Sequence, residues 1–579
     1  MDRIKIFQII IITVVAIIIF RLFYWQFLSD VSSKTNSFLK ESEIPASRGE
    51  IYATDGFPLV TNQEAFLLYG KPSELSKKPS EVAKTLAPFL ISEKYATLSA
   101  NLSDQDLKQK EEEISKKEQD LTTKLENQSF YWVQLARKVP LEVKDKIEKS
   151  NISGLGFEQD EKRFYPEASM AAQLLGFVGF DKFGQDTGYF GLEGYWDRKI
   201  RGKNGRLGQE QDPFGIPILV GRYRPIAPKQ GSPVYSSLDR TVQYIVEEKL
   251  ASAVERYGAK DGTVIVADPK TGHILAMATF PNYNPNLRLE FDENLYKNPA
   301  VADTFEPGSI FKLITMSAAL DLSVVDLNTK CPCDGPRQIG GYEISTWNKK
   351  YYPDSTMTEI IQHSDNVGMT FVSEKLGVDK FYDYITKFGF GKPTKIDLQE
   401  ESAGAIRPKS EWRVIDLATA SFGQGIAVTP IQMVQAVSAI ANGGELISPK
   451  VAVKIKDRDK EEGIKPDFER QVVSSKTASQ ITEMMVNAVE KGEAKAYAPK
   501  GYKIAGKTGT AQIPLAGHYD PNKTIASFIG FAPAYDPKFV MLVRFSQPSS
   551  SPYGSETAAP TFFEIAKDLF NYYQILPED

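Results

Sequence analysis

The sequence predicts an α+β protein, with a transmembrane helix at the N-terminus, a mixed middle region, and a C-terminal domain in which an antiparallel sheet packs with helices. Three observations predict it. The run from Ile6 to Phe20 is apolar but for Gln8 and Thr13, and Leu22 to Leu28 continues it with aromatic residues. Strand-like segments open the C-terminal region (Thr263 to Ala267 and His273 to Ala278) and close it (Tyr502 to Gln512, Phe528 to Pro533 and Phe539 to Phe545). Between them stand helical patterns, above all Phe311 to Leu320, which is apolar all round and therefore predicted to be buried.

As a helix, Ile6 to Leu28 covers about 34 Å, against a hydrocarbon core of about 30 Å, so it is long enough to span. Arg21 can snorkel at one end, and Phe23, Tyr24, Trp25 and Phe27 form an interfacial belt. Bulky residues follow the apolar core where a cleavable signal peptide has small ones, which favours an uncleaved anchor. Arg3 and Lys5 favour a cytoplasmic N-terminus, placing everything from Ser29 onward outside the cytoplasm.

Ser29 to Ala46 is polar and reads as a flexible lead-in. Arg48-Gly49-Glu50-Ile51, then Asp55-Gly56 and Leu59, predict strand, turn and strand. Asp104 to Glu126 is dense in Lys and Glu with Leu107, Ile114 and Leu121 on one face, a solvated amphipathic helix. Trp132 to Lys138 reads as a strand and Pro140 to Glu148 as a surface helix. Gly202 to Gln230, rich in Gly, Pro and charge, reads as a boundary. Further helices are predicted over Arg240 to Arg256, Thr477 to Lys491 and Pro560 to Phe570.

With 579 residues, 42% hydrophobic and 25% charged, the chain has an ordinary globular composition. A net charge of −5 shows no polybasic nucleic-acid footprint. Two cysteines and three histidines argue against a structural zinc site or disulfide framework, and no cofactor or metal is expected. Cys331 and Cys333 flank one proline and are either free or bridged to each other.

Pro307 and Gly308 break the chain just before the apolar helix, which puts Ser309 in its first turn, at the positive end of the helix dipole. Residues three apart share a helix face, so Lys312 can reach back to the Ser309 hydroxyl. A buried lysine with a lowered pKa can take a serine proton. Alone, this spacing is weak evidence, since Ser37 to Lys40 repeats it.

Two more clusters follow in order. Ser364-Asp365-Asn366 supplies a second hydroxyl and an amide, although most such triplets are only helix caps. Lys507-Thr508-Gly509-Thr510 lies in a strand-like segment whose edge can pair with an extended peptide while Lys507 and the threonine hydroxyls receive a carboxylate. A second Lys-Thr-Gly, at Lys270 to Gly272, lies between two strands and reads as a hairpin turn.

The ordered triple resembles that of the class B penicillin-binding proteins, bitopic peptidoglycan transpeptidases. The resemblance extends to Asp268-Pro269, Phe388-Gly389-Phe390-Gly391, Gly423-Gln424-Gly425 and Thr429-Pro430 in the C-terminal part. In the middle it rests on Arg163-Phe164-Tyr165-Pro166, Leu174 to Gly179 and Gly191-Leu192-Glu193. Gln173 stands where the family is expected to carry histidine.

The resemblance implies three parts: tail and anchor (1–28), a non-catalytic pedestal or dimerisation domain (29–230), and a penicillin-binding, β-lactamase-like transpeptidase domain (231–579). It implies that Ser309 attacks the bond between two terminal D-alanines of a stem peptide, with Lys312 as base, and that a neighbouring peptide's amine takes the acyl group. Ser364 would relay protons and Asn366 would orient the substrate. Lys507, Thr508 and Thr510, with Gly509 between them, would hold its carboxylate, and the backbone N–H groups of Ser309 and Thr510 would receive the oxyanion.

The implied partners are peptidoglycan stem peptides, β-lactams as covalent inhibitors, a membrane glycan polymerase and other wall-synthesis proteins. The catalytic runs resemble the division-type branch more than the elongation-type. A β-lactamase needs a deacylating carboxylate, and the one Glu-x-x-x-Asn after Ser364, Glu483 to Asn487, falls just before the third motif, which disfavours it. A D,D-carboxypeptidase shares all three motifs and is disfavoured by the large pedestal. A non-catalytic scaffold is disfavoured by the intact triple. A Ser-His-Asp hydrolase lacks its nucleophile elbow, and His273, His363 and His518 carry no motif support.

Overall fold

The computed structural model describes residues 3–24, 26, 39–96, 104–210, 223–457, 460–465, 467–515 and 518–577. The decoy at Ser37, the aromatic positions Trp25 and Phe27, and residues 29–38 of the lead-in lie outside them. The chain divides into two compact units, Met1–Arg48 with Arg201–Gly231, and Gly49–Ile200 with Ser232–Asp579.

The first unit holds the apolar helix Arg3–Phe23, whose stretch Ile6–Phe23 has a mean hydropathy of 2.8 and is unburied. Its length and composition suit a membrane span. The unit also holds a three-stranded antiparallel sheet, Leu39–Ile44, Gly205–Glu210 and Tyr223–Ile226, with Leu39 opposite Glu210 and Ile44 opposite Gly205. This corrects the flexible reading of the lead-in for its last part. The segment is polar and alternates weakly, and its strand character comes from a partner far along the chain.

In the second unit, Ile51–Tyr52 and Pro58–Gly70 form the expected strand, turn and strand. The helix Asp104–Glu126 packs Leu121 and Leu125 into a small core with Leu68, Val82, Leu86 and Leu135, while Leu107 stays exposed. Arg163 joins the scattered middle signatures. Its guanidinium lies 2.6 Å from Glu193 Oε1 and donates to Gly49 O (2.7 Å), both buried, and to Asn62 Oδ1 (2.8 Å). The Gln173 amide donates to Pro281 O and Leu295 O, each at 3.3 Å, so it ties this segment to the chain that follows the strand ending at Phe280.

The C-terminal part is built on a five-stranded antiparallel sheet. Its spatial order is Ile274–Phe280, Asp261–Ala267, Phe539–Ser546, His518–Ala532 and Ala505–Leu515. Alternation along each strand sends side chains to two cores. Val264, Val266, Met541 and Val543 pack against the helices Arg240–Tyr257 and Ala558–Tyr572. Ile265, Val540 and Leu542 face the helical layer that includes Ile310, Phe311, Leu313 and Ile314. Lys270 to Gly272 is the turn of the first hairpin, with Asp268 accepting from Lys270 N and Thr271 Oγ1. Ala505–Leu515 is an edge strand, so the third motif sits on an open margin of the sheet.

Candidate active site

Ser309 lies in a 3₁₀ turn, Gly308–Phe311, that leads into the buried helix Lys312–Asp321. The helix therefore starts three residues after Ser309, later than the sequence predicts. Gly308 sets this turn. It has φ of 56°, its N–H donates to Gly423 O at 3.0 Å, and an added Cβ would come within 3.0 Å of Thr510 O. Gly423 is more constrained, since its Cβ would fall 2.2 Å from Gly308 O. On the approach to the turn, Phe305 and Val428 exchange two backbone hydrogen bonds. Glu306 accepts from Gly425 N (3.1 Å) and from the Tyr519 hydroxyl, and its burial raises its pKa.

Ser364 and Asn366 flank the junction of two helices, Met357–Gln362 and Asn366–Lys387. Asp365 caps the second helix, accepting from Val367 N and Gly368 N. The triplet is thus a helix cap and part of the groove at once. Ser364 takes a positive φ of 54°, which non-glycine residues adopt rarely, and the turn points both its carbonyl and its hydroxyl at Lys312. His363 stacks on Tyr352 with ring centres 4.0 Å apart.

Lys312, with 0% exposure, donates to Ser364 O (2.5 Å), Asn366 Oδ1 (2.8 Å) and Ser364 Oγ (3.3 Å). The Asn366 amide also donates to Ser345 O at 3.2 Å, fastening the loop that carries Trp347. Lys507 reaches the same hydroxyl from the other side, 2.9 Å from Ser364 Oγ, and contacts Thr508 O and Oγ1 at 3.1 Å. Burial, then repulsion from Lys507, holds the Lys312 ammonium well below its ordinary pKa, while Asp365 and Glu493 oppose the shift. Burial also lowers Lys507, to about 8, against the pull of Glu493.

Ser309 opens with Ser364, Asn366, Thr508 and Thr510 onto one cavity of about 400 Å³. Hydrogen bonds join Lys312, Ser364, Asn366, Lys507 and Thr508. Among the described residues, none of them includes the Ser309 hydroxyl, because Lys312 is engaged by the second motif. Gly509 is a packing residue, its missing Cβ filled by Ser527 Oγ at 2.4 Å. Thr510 Oγ1 accepts from Gly554 N at 3.0 Å, which leaves its own proton to donate.

Sequence reasoning missed three wall residues. Trp347 and Tyr553 meet edge to face, ring centres 5.5 Å apart, across the cavity rim. Their signal was faint: single aromatics in polar loops. Glu493 follows Gly492, where the helix Ser475–Lys491 ends, and accepts from Thr508 Oγ1 at 3.0 Å. No motif marks it. Cys331 and Cys333, whose state the sequence left open, form a disulfide.

Residues 262–569 match the penicillin binding protein transpeptidase domain, and residues 43–236 the penicillin-binding protein dimerisation domain. The chain belongs to the penicillin-binding protein transpeptidase family. It is 34% identical over 562 residues to stage V sporulation protein D of Bacillus subtilis, covering 95% of this chain and 82% of that protein. It is 30% identical over 545 residues to the probable peptidoglycan D,D-transpeptidase PenA of Neisseria meningitidis, covering 94% and 87%. Penicillin binding protein 3 of Mycobacterium tuberculosis, solved in complex with aztreonam, superposes with a TM-score of 0.69 at 25% identity, covering 93% of this chain and 98% of that one. The two-domain fold expected from the sequence, a dimerisation domain before a transpeptidase domain, is the fold of this family.

Proposed function

We propose that this chain is a peptidoglycan D,D-transpeptidase in which Ser309 carries the acyl group. The observation that supports it most is the double approach to Ser364. Lys312 and Lys507, both desolvated, point at one hydroxyl from opposite sides, in the cavity that Ser309 lines. Two ammonium ions so close repel, and the more strongly depressed one, Lys312, is the one that loses its proton and serves as base.

In the first step Ser309 Oγ bonds to the carbonyl carbon between two terminal D-alanines, and its proton passes to Lys312. The oxyanion meets the backbone N–H groups of Ser309 and Thr510. As the C–N bond breaks, the proton returns through Ser364 to the departing D-alanine amine. In the second step an amine of a neighbouring stem peptide attacks the ester, forming the cross-link and restoring the Ser309 hydroxyl. The acyl donor lies along the edge strand Ala505–Leu515, with Asn366 on its backbone and Lys507 and Thr510 at its carboxylate end. When the donor seats, its backbone N–H donates to Asn366 Oδ1 in place of Lys312, which is then free to turn to Ser309; catalytic hydrogen bonds commonly tighten only in the complex. β-Lactams acylate the same serine.

The domain reading of 1–28, 29–230 and 231–579 goes with this function: an anchor, a pedestal, and a catalytic domain held outside the cytoplasmic membrane. The partners are a membrane glycan polymerase and other wall-synthesis proteins, in a division-type role. The test is acyl transfer from a stem peptide ending in D-Ala-D-Ala, with a second peptide amine as acceptor. Aminolysis is expected to exceed hydrolysis, and Ser309→Ala to abolish both. Release of D-alanine with no cross-linked product would identify a carboxypeptidase.

A further inference from the structure

Among the described residues that line the cavity, the three motifs leave one carboxylate without a role. Glu493 lines it together with Ser309, Thr508 and Thr510, yet lies outside every motif. Its Oε2 accepts the Thr508 hydroxyl proton at 3.0 Å, and the Thr508 oxygen in turn receives Lys507 Nζ at 3.1 Å. Its Oε1 is buried and has no hydrogen-bond partner. A relay thus runs from Glu493 through Thr508 and Lys507 to Ser364.

Two consequences follow. A hydroxyl has one proton to give, so Thr508 cannot donate to a substrate carboxylate while Glu493 holds it. Thr510 can, since its oxygen only accepts from Gly554. A fixed negative charge therefore stands beside the cation that is to receive an anion. Across the few ångströms of this relay, one carboxylate works against a second by a factor on the order of ten.

We propose that Glu493 is a specificity-determining residue of the acyl-donor site: it commits the Thr508 hydroxyl, leaves the carboxylate to Lys507 and Thr510, and discriminates against negative charge at that end of the groove. The inference rests on the acyl-donor reading given above. Glu493 also holds Lys507 in its charged form, so a fair comparison is made at pH 6, below the value of about 8 to which burial brings Lys507.

The test uses the full chain in detergent with benzylpenicillin, whose carboxylate is ionised, and with its methyl ester, which has the same ring and no charge. The ratio of their second-order acylation constants is measured for wild type, Glu493→Gln, Glu493→Ala and Glu493→Asp. Glu493→Gln and Glu493→Ala are expected to raise the acid-to-ester ratio about tenfold. Glu493→Asp, which keeps the charge, is expected to stay near wild type. A ratio that falls, or rises less than threefold, in a folded Gln or Ala variant would overturn the inference alone. Failure of benzylpenicillin to acylate the wild-type chain would overturn the acyl-donor reading and this inference with it.

Discussion

Replacing Lys312 by methionine separates chemistry from folding in a single position. Methionine keeps the length of the side chain and removes only the ammonium. Three acceptor contacts disappear: Ser364 O at 2.5 Å, Asn366 Oδ1 at 2.8 Å and Ser364 Oγ at 3.3 Å. Ser364 Oγ keeps Lys507 at 2.9 Å, so two buried acceptors, Ser364 O and Asn366 Oδ1, lose this partner, at about 1–3 kcal/mol each. The change also removes a lysine that burial and Lys507 hold far from its preferred charged state, and isosteric apolar replacement of buried charge is often neutral or stabilising. The two effects largely offset, so unfolding free energy is expected to move by less than about 2 kcal/mol.

Acylation is a different matter, because Lys312 is the group assigned to take the Ser309 proton. A loss of about 10⁴-fold is expected, equivalent to about 5.5 kcal/mol of transition-state stabilisation. The assay is the second-order rate of labelling by a fluorescent penicillin, read beside a thermal melt of the same preparation. Acylation within tenfold of wild type in a folded Lys312→Met chain would refute the assignment of Lys312 as base. A loss that merely follows unfolding would refute the claim that folding is spared.

The pH profile follows from Lys507. Its folded pKa of about 8 lies below the ordinary 10.5, so it opposes folding at pH below about 8 and that opposition is relieved as pH rises toward 10.5. Anion recruitment runs the other way: acylation by benzylpenicillin is expected to fall as pH rises through about 8, and acylation by its methyl ester to lack that limb. Gly423→Ala would drive a Cβ to 2.2 Å from Gly308 O at a φ of 80°, so slower acylation and a lower melting temperature are expected together. Arg163→Met withdraws the guanidinium from Glu193, Gly49 O and Asn62. An unfolding free energy lower by about 3 kcal/mol is expected, with Ser309 labelling retained below the melt.

The catalytic groove was legible because its parts are short and local. A Pro-Gly break before an apolar helix, a polar triplet at a helix start and a Lys-Thr-Gly-Thr in a strand each declare their element, and their order does the rest. Even the decoy at Lys270 was separable, since a strand on either side marks a hairpin. What the sequence hid depends on partners distant along the chain. Leu39–Ile44 is polar and becomes a strand only against Gly205–Glu210. Arg163 joins Gly49 and Glu193, which read as parts of separate signatures, and Asn62, which no signature marked. Glu493 carries no pattern at all, because a lone carboxylate after a helix is usually solvated and here it turns inward to Thr508. The engagement of Lys312 by Ser364 and Asn366 was equally invisible, since spacing on a helix gives reach but not the choice of partner.

The most direct measurement is peptide mapping by mass spectrometry of the full chain after brief exposure to benzylpenicillin. The account predicts one intact penicilloyl adduct, on the peptide containing Ser309, persisting for many minutes and absent from Ser309→Ala. An adduct on another residue, or turnover of the drug with no adduct retained, would contradict it.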